Sequence, residues 1–181
     1  LAKARNLMAD DPDKVKAKAK AKAMRIEAIH QIVEKNQPLE SLETAVLIDI
    51  MISYRNIEAF SEMQLFIEKL PRYVFETIMV QEQYAFVLNR NANEAKLVDT
   101  MMIGKAEEVL QKLAEQGKAS SETYGIWGRI YKDKFDLAYK QGEKNVAKNH
   151  LEDALKYYKK GFEFDPRDAY PGVNYVTCLE L

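Results

Sequence analysis

Two histidines, a single cysteine and one glycine-bearing cluster are the residues here whose types could do chemistry. His30 and His150 fall in different helical segments, without the His/Cys/Asp spacing of a metal site. Both are expected to be ordinary helix-surface or interface histidines. Cys178 sits in an apolar run with no histidine partner in sequence, which favours a buried, inert thiol over a nucleophile. The cluster is "YGIWGRIYKDKFD", Tyr124 to Asp136, where Gly125 and Gly128 flank Trp127 and precede Arg129, Lys132, Asp133 and Asp136. A phosphate-cradling loop places its glycines between a strand and a helix. No strand pattern precedes Tyr124, so both glycines are expected to be packing positions inside a helix, and Trp127 a core residue. The sequence also has no Walker loop, dinucleotide fingerprint or serine-centred elbow. No catalytic, cofactor-binding or metal-binding residue is expected; a hydrolase or transferase would have to assemble its site through the fold alone.

The elements that position this cluster are helical. With seven glycines, five prolines and no sustained strand alternation, apolar residues recur at 3.6-residue spacing almost throughout, which predicts an all-α chain. The 181 residues are 47% apolar and 10% aromatic, enough to fill the core of one ordinary domain. A net charge of −1 gives the chain as a whole no reason to seek nucleic acid or an anionic membrane. One cysteine excludes an internal disulfide and fits a reducing compartment. No apolar run approaches the roughly 18 residues that span a bilayer, and no signal-peptide pattern opens the chain, so a cytoplasmic protein is expected. The start at Leu1 and the end in "YVTCLEL" suggest a piece of a longer protein.

The first helix is expected after Asp10-Asp11, with Pro12 at its first position, and to end near Lys35. Its opening, "DKVKAKAKAKAM", alternates five lysines with small residues. A spacing of two is expected to scatter them around the helix. That describes a solvated helix or tether, set against an electrostatic contact with an acidic partner. "LETAVLIDIMISYRNI" and "EAFSEMQLFIEKL" follow, as a hairpin or one helix bent near Arg55-Asn56. "RYVFETIMVQEQYAFVLNRN" reads as a helix paired with a second one from about Thr100 to Gln116, capped by Gly117. Ser120-Ser121-Glu122 starts the helix carrying the cluster, which reaches about Gln141 before Gly142. Another helix runs from about Asn145 to Phe164, and Asp165-Pro166 breaks the chain before a last segment.

A repeat lies in this spacing. The tetratricopeptide pattern is matched on a first helix by Tyr124, Trp127, Gly128 and Tyr131, and on a second by Ala154, Tyr158, Gly161 and Pro166. Tyr131 and Ala154 are 23 residues apart where the usual repeat has about nine, so both helices must be longer than usual. The register recurs upstream at Gln81, Tyr84, Ala85 and Leu88, leading to Ala106, Leu110 and Leu113, and downstream at Tyr170, Val173 and Asn174. The expected architecture is a right-handed stack of long tetratricopeptide-like hairpins over 39–181, with repeats at about 75–117 and 120–166 and the first helix of a further repeat at 168–181. Residues 1–38 would form a flanking Lys/Ala-rich helix. In this register the concave face is offered by Glu82, Phe86, Asn89 and Arg90, then Glu122, Gly125, Arg129, Lys132, Asp133 and Asp136, then Pro171, Tyr175 and Cys178. Arg90, Arg129 and Lys132 would line a groove for an acidic segment. The alternative is simple i,i+4 pairing, Arg129 with Asp133 and Lys132 with Asp136.

"SYRNIEAFSEM", "MVQEQYAFVLNRN", "SSETYGIWGRIYKDKF" and "KYYKKGFEFDPRDAYPGVNYVT" together resemble the TRAFs-binding domain over about Leu47 to Leu181. This helical domain occurs in the central regulatory region of the apoptosis signal-regulating MAP kinase kinase kinases and in many bacterial proteins. The resemblance implies an interaction module of extended tetratricopeptide-like helices without catalytic activity, which in the kinases helps to organise a signalling assembly.

Function is therefore expected to be that of a protein-protein interaction scaffold or regulatory module, whose partner is another protein or an adjacent domain of the same longer chain. No cofactor, membrane or nucleic acid is expected. An alternative is a regulatory sensor attached to an enzyme domain, with "GRIYKD" contributing to a site for a nucleotide or other anionic ligand. A third is a homodimer formed through "VLIDIMI" or "QLFIEKL".

Overall fold

The computed structural model describes residues 12–95 and 97–181, so the expected cap at Asp10-Asp11 lies outside the described residues. Those residues form nine α-helices and no strand. The chain divides into two compact units at Pro71/Arg72.

In the first unit, α1 (Pro12–Lys35) is followed by a 3₁₀ turn at Leu39–Ser41, α2 (Thr44–Asn56) and α3 (Phe60–Ile67). The buried face of α2 reads Leu47, Ile50, Met51, Tyr54, the i, i+3, i+4, i+7 spacing of a helix packed on one side. Met63, Phe66 and Ile67 of α3 meet it. Tyr54 stacks obliquely on Phe66 at 5.8 Å. Burial, reinforced by the negative charge of Glu62, pushes the Tyr54 phenol up to about 12. Only the later half of α1 packs down, through the half-buried Ile26, Ile29 and Val33; Asp13 to Arg25 are exposed.

α2 ends in a left-handed residue. Glu58 has φ 56°, its N–H donates to the Arg55 carbonyl and that of Ala59 to the Tyr54 carbonyl, the pair of bonds that closes a helix through an αL position. The same bonding ends two helices of the second unit at Gly117 and Gly142, where φ is 67° and 78°. There the missing Cβ removes the strain that Glu58 must carry.

The second unit comprises α4 (Arg72–Phe75), α5 (Ile78–Glu94), α6 (Thr100–Glu115), α7 (Ser121–Lys140), α8 (Lys144–Phe164) and α9 (Ala169–Leu179). One departure from the expected order lies at its start: "RYVFETIMVQ" is not one helix. Thr77 is extended, with ψ 145°, and separates α4 from α5. Two side chains hold the break, Thr77 Oγ1 donating to the Val74 carbonyl and Gln81 Nε2 to that of Phe75. Each supplies a carbonyl released from the helix with a local partner.

α5 and α6 pack as one hairpin and α7 and α8 as the next, α9 lies on α8, and the first helices α5, α7 and α9 touch in succession. Tyr84, Ala85 and Leu88 are buried against the α6 residues Ala106, Leu110 and Leu113. Ser120 caps α7: its hydroxyl accepts from the Thr123 N–H while the Thr123 hydroxyl accepts from the Ser120 N–H. Asp99 and Asp168 cap α6 and α9 through their carboxylates.

Candidate functional site

The glycines of "YGIWGRIYKDKFD" lie within α7, after its first turn. A Cβ on Gly128 would stand 2.6 Å from the Tyr158 ring, and one on Gly125 3.1 Å from the Tyr170 ring. Gly161 of α8 brings its backbone as close to Pro171. These positions let α7, α8 and α9 approach. Around them runs an aromatic ladder, in which the Tyr157 ring stacks on Trp127 at 4.4 Å and on Tyr131 at 5.5 Å. Lys134 crosses the Tyr131 face and reaches Glu107 Oε2 at 2.6 Å. Burial raises the phenols of Tyr131, Tyr157 and Tyr158. Ala154 and Tyr158 are fully buried, and Pro166 is exposed in the turn after α8. Trp127, Gly128, Tyr131, Ala154, Tyr158 and Gly161 thus lie in the seam between the helices.

The expected concave face is only partly a surface. Glu82 is buried, and its Oε1 accepts from Thr123 Oγ1 at 2.6 Å and from the Ser120 hydroxyl. It serves the N-terminus of α7, where a carboxylate also meets the positive end of the helix dipole. Asn89 is buried too, and donates to Asp133 Oδ2 at 2.8 Å, while Arg129 Nε donates to Asp133 Oδ1 at 2.8 Å. Lys132 pairs with Asp136 at 3.1 Å. The i,i+4 alternative therefore describes both cations. Arg90 lies over the Phe86 ring at 5.3 Å. Arg90, Arg129, Asp133 and Asp136 come together around a polar cleft of about 270 Å³. Tyr175 and Cys178 turn inward against Ala154 and Tyr158. Burial pushes the Cys178 thiol up, opposite to the shift a nucleophile needs. Among the described residues no group of three or more His, Cys, Asp and Glu is placed to hold a metal ion. Nor, among the described residues, is any helix long and apolar enough to cross a membrane.

A larger depression was not singled out by the sequence pattern. Between α8 and α9 lies an apolar groove of about 860 Å³, with Phe162, Gly172, Val173 and Val176 in its walls and Lys159, Glu163 and Glu180 at its rim. Phe162 fits against Gly172, where a Cβ would come within 2.7 Å of the ring. Val173 is 63% exposed and Val176 57%. The repeat register explains this exposure. Val173, Asn174 and Thr177 follow Trp127, Gly128 and Tyr131 by 46 residues, and the α7 residues are the ones α8 covers. The recurrence at Tyr170, Val173 and Asn174 is the signal in the sequence that marks this face.

Paired antiparallel helices stacked through small residues define a tetratricopeptide-like repeat protein. The chain belongs to the Tetratricopeptide Repeats-Sensor family, whose model matches residues 59–179. It is 29% identical over 165 residues to the human mitogen-activated protein kinase kinase kinase 5, covering 87% of this chain and 11% of that one. The mouse protein of the same name is 30% identical over 167 residues, with the same coverage. The Caenorhabditis elegans kinase nsy-1 is 28% identical over 137 residues, covering 72% of this chain and 9% of its own length. The chain thus spans about a tenth of the length of these relatives. The kinship expected from the four quoted segments is met. No solved structure matches the chain significantly.

Proposed function

We propose that the chain is a non-enzymatic protein-interaction module of a larger signalling protein, and that it works by receiving an amphipathic helix, supplied by another protein or by an adjacent part of the same longer chain, in the groove between α8 and α9. One observation carries this reading: the faces of α5 and α7 that stand in the same register are each covered by a second helix, and that of α9 presents exposed valines beside an apolar groove. Helix-in-groove binding uses this kind of surface, with anchors at i, i+3, i+7 spacing. The polar cleft at Arg90 and Arg129 is the weaker candidate, for a peptide or for an anionic ligand. The carboxylates of Asp133 and Asp136 share it with the two arginines, and Arg129 is held by Asp133.

A displayed library of amphipathic helices, selected on the wild-type chain and screened against Val173→Asp/Val176→Asp, tests the reading. Both positions are exposed, so the variant should fold. Helices that bind wild type and lose at least about tenfold in affinity for the variant are expected. Binders indifferent to the variant and sensitive to Arg90→Ala/Arg129→Ala would move the site to the polar cleft. Failure to select any binder would contradict the helix-receiving groove. A concentration-dependent dimer, abolished in the variant, would make the occupant a second copy of the chain.

A further inference from the structure

The first half of α1 carries a charge pattern that the interaction reading of the second unit does not use. Between Pro12 and Arg25 there are six basic residues and one acidic residue, so this stretch carries +5; since the chain sums to −1, the remainder carries −6. The near-neutral total hides a strong segregation.

The lysines are not scattered evenly. At about 100° per residue, Lys14, Lys18, Lys22 and Arg25 fall within an arc of roughly 80°, and Lys16 and Lys20 lie on the opposite side. The first four line one groove of about 690 Å³, with Val15, Ala19 and Ala21 along the helix and Asn56, Ile57 and Glu58 as the facing wall. Lys22 Nζ donates to the Glu58 carbonyl at 2.8 Å, which holds the helix beside that wall. The left-handed conformation of Glu58, at φ 56°, shapes the turn that forms it.

Such an arrangement opposes the stability of its own helix. Like charges four residues apart repel, and cations crowd the N-terminal half of a helix whose dipole is positive at that end. A stretch that opposes its own local electrostatics is expected where a partner supplies the missing charge. We infer that this groove is a binding site for an acidic, extended polypeptide segment, whose carboxylates meet Lys14, Lys18, Lys22 and Arg25.

The groove's chemistry selects that partner over two others. A base-stacking nucleic-acid site needs aromatic side chains, and none lines this groove. A membrane-bound helix needs large apolar residues opposite its cations, where the first half of α1 carries Lys16 and Lys20. An extended acidic chain instead needs closely spaced cations, and four line this groove against the single acidic residue Glu58.

Two equally charged variants test the assignment. Lys14→Ala/Lys18→Ala removes two cations from the groove, and Lys16→Ala/Lys20→Ala removes two from the opposite side; alanine keeps helix propensity in both. Binding of a fluorescent oligo-glutamate peptide is followed by anisotropy on the full chain, with circular dichroism to confirm equal helix content. The groove pair should weaken binding about tenfold and the opposite pair less than about twofold. Equal losses would overturn the groove in favour of diffuse attraction, and absence of peptide binding by wild type would overturn the site itself. Tighter binding to duplex RNA or to phosphatidylserine vesicles than to the peptide would overturn the assignment of the partner.

Discussion

Gly128 of α7 and Tyr158 of α8 are packed so closely that a single methyl group between them would stand 2.6 Å from the ring. Tyr158 is fully buried and belongs with Ala154 and Cys178 to the cluster that joins α8 to α9. One glycine thus sets the distance between the two helices of a repeat, and through the tyrosine the seat of the next.

Replacing Gly128 by leucine should lower stability by about 1 to 3 kcal/mol through overpacking. Gly104, in the middle of α6, has nothing within 4 Å of an added Cβ. Its replacement by alanine should stabilise by about 0.5 to 1 kcal/mol through helix propensity. Urea unfolding of the two variants beside wild type measures both; a neutral Gly128→Leu would deny the seam its role.

Glu82→Ala should destabilise by about 1 to 3 kcal/mol, because it leaves the Ser120 and Thr123 hydroxyls at the start of α7 without their buried acceptor. Hydrogen exchange should show the loss first in the opening turn of α7.

Glu58→Gly should raise stability by up to about 1 kcal/mol, since it removes the Cβ from a residue held at φ 56°. This change opposes the common trend that glycine weakens a fold. A lower urea midpoint for the variant would count against strain at this turn.

Alkaline pH should unfold the chain. The Tyr54 phenol stands at about 12, above its ordinary value of 10.0, and those of Tyr131, Tyr157, Tyr158 and Tyr170 are also raised, in each case chiefly by burial. Above pH 10 the unfolded chain releases these protons and the native chain retains them. The native state then binds more protons, so stability is intact below about pH 10 and falls as pH rises from there towards 12. Tyrosinate absorbance should therefore appear together with loss of helical signal. Tyrosinate formation that ran to completion with helicity unchanged would contradict this coupling.

The positions at which sequence pattern succeeded share one property: local rules decided them. The caps at Ser120, Gly117 and Gly142, and the apolar stripe of α2, follow from side-chain chemistry within a turn or two. Thr77 broke a helix that periodicity alone would continue, because two side chains satisfied the released carbonyls. Glu82 and Asn89 had the register of a concave surface, but stacking of α5 on α7 buried them in capping and in the contact to Asp133. The lysines of α1 formed a stripe because alternate members of an i+2 series recur at i+4, and the turn at Glu58 gave that stripe a wall.

On the proposed function, α9 offers its outer face to a helix, as α7 does to α8. Hydrogen exchange of the chain with and without a selected amphipathic helix tests it most directly. New protection is expected over Ala169–Leu179 and the end of α8 near Phe162, with Arg90 and Arg129 unaffected. Protection around Arg90 and Arg129 instead, or binding that leaves α9 unprotected, would contradict it.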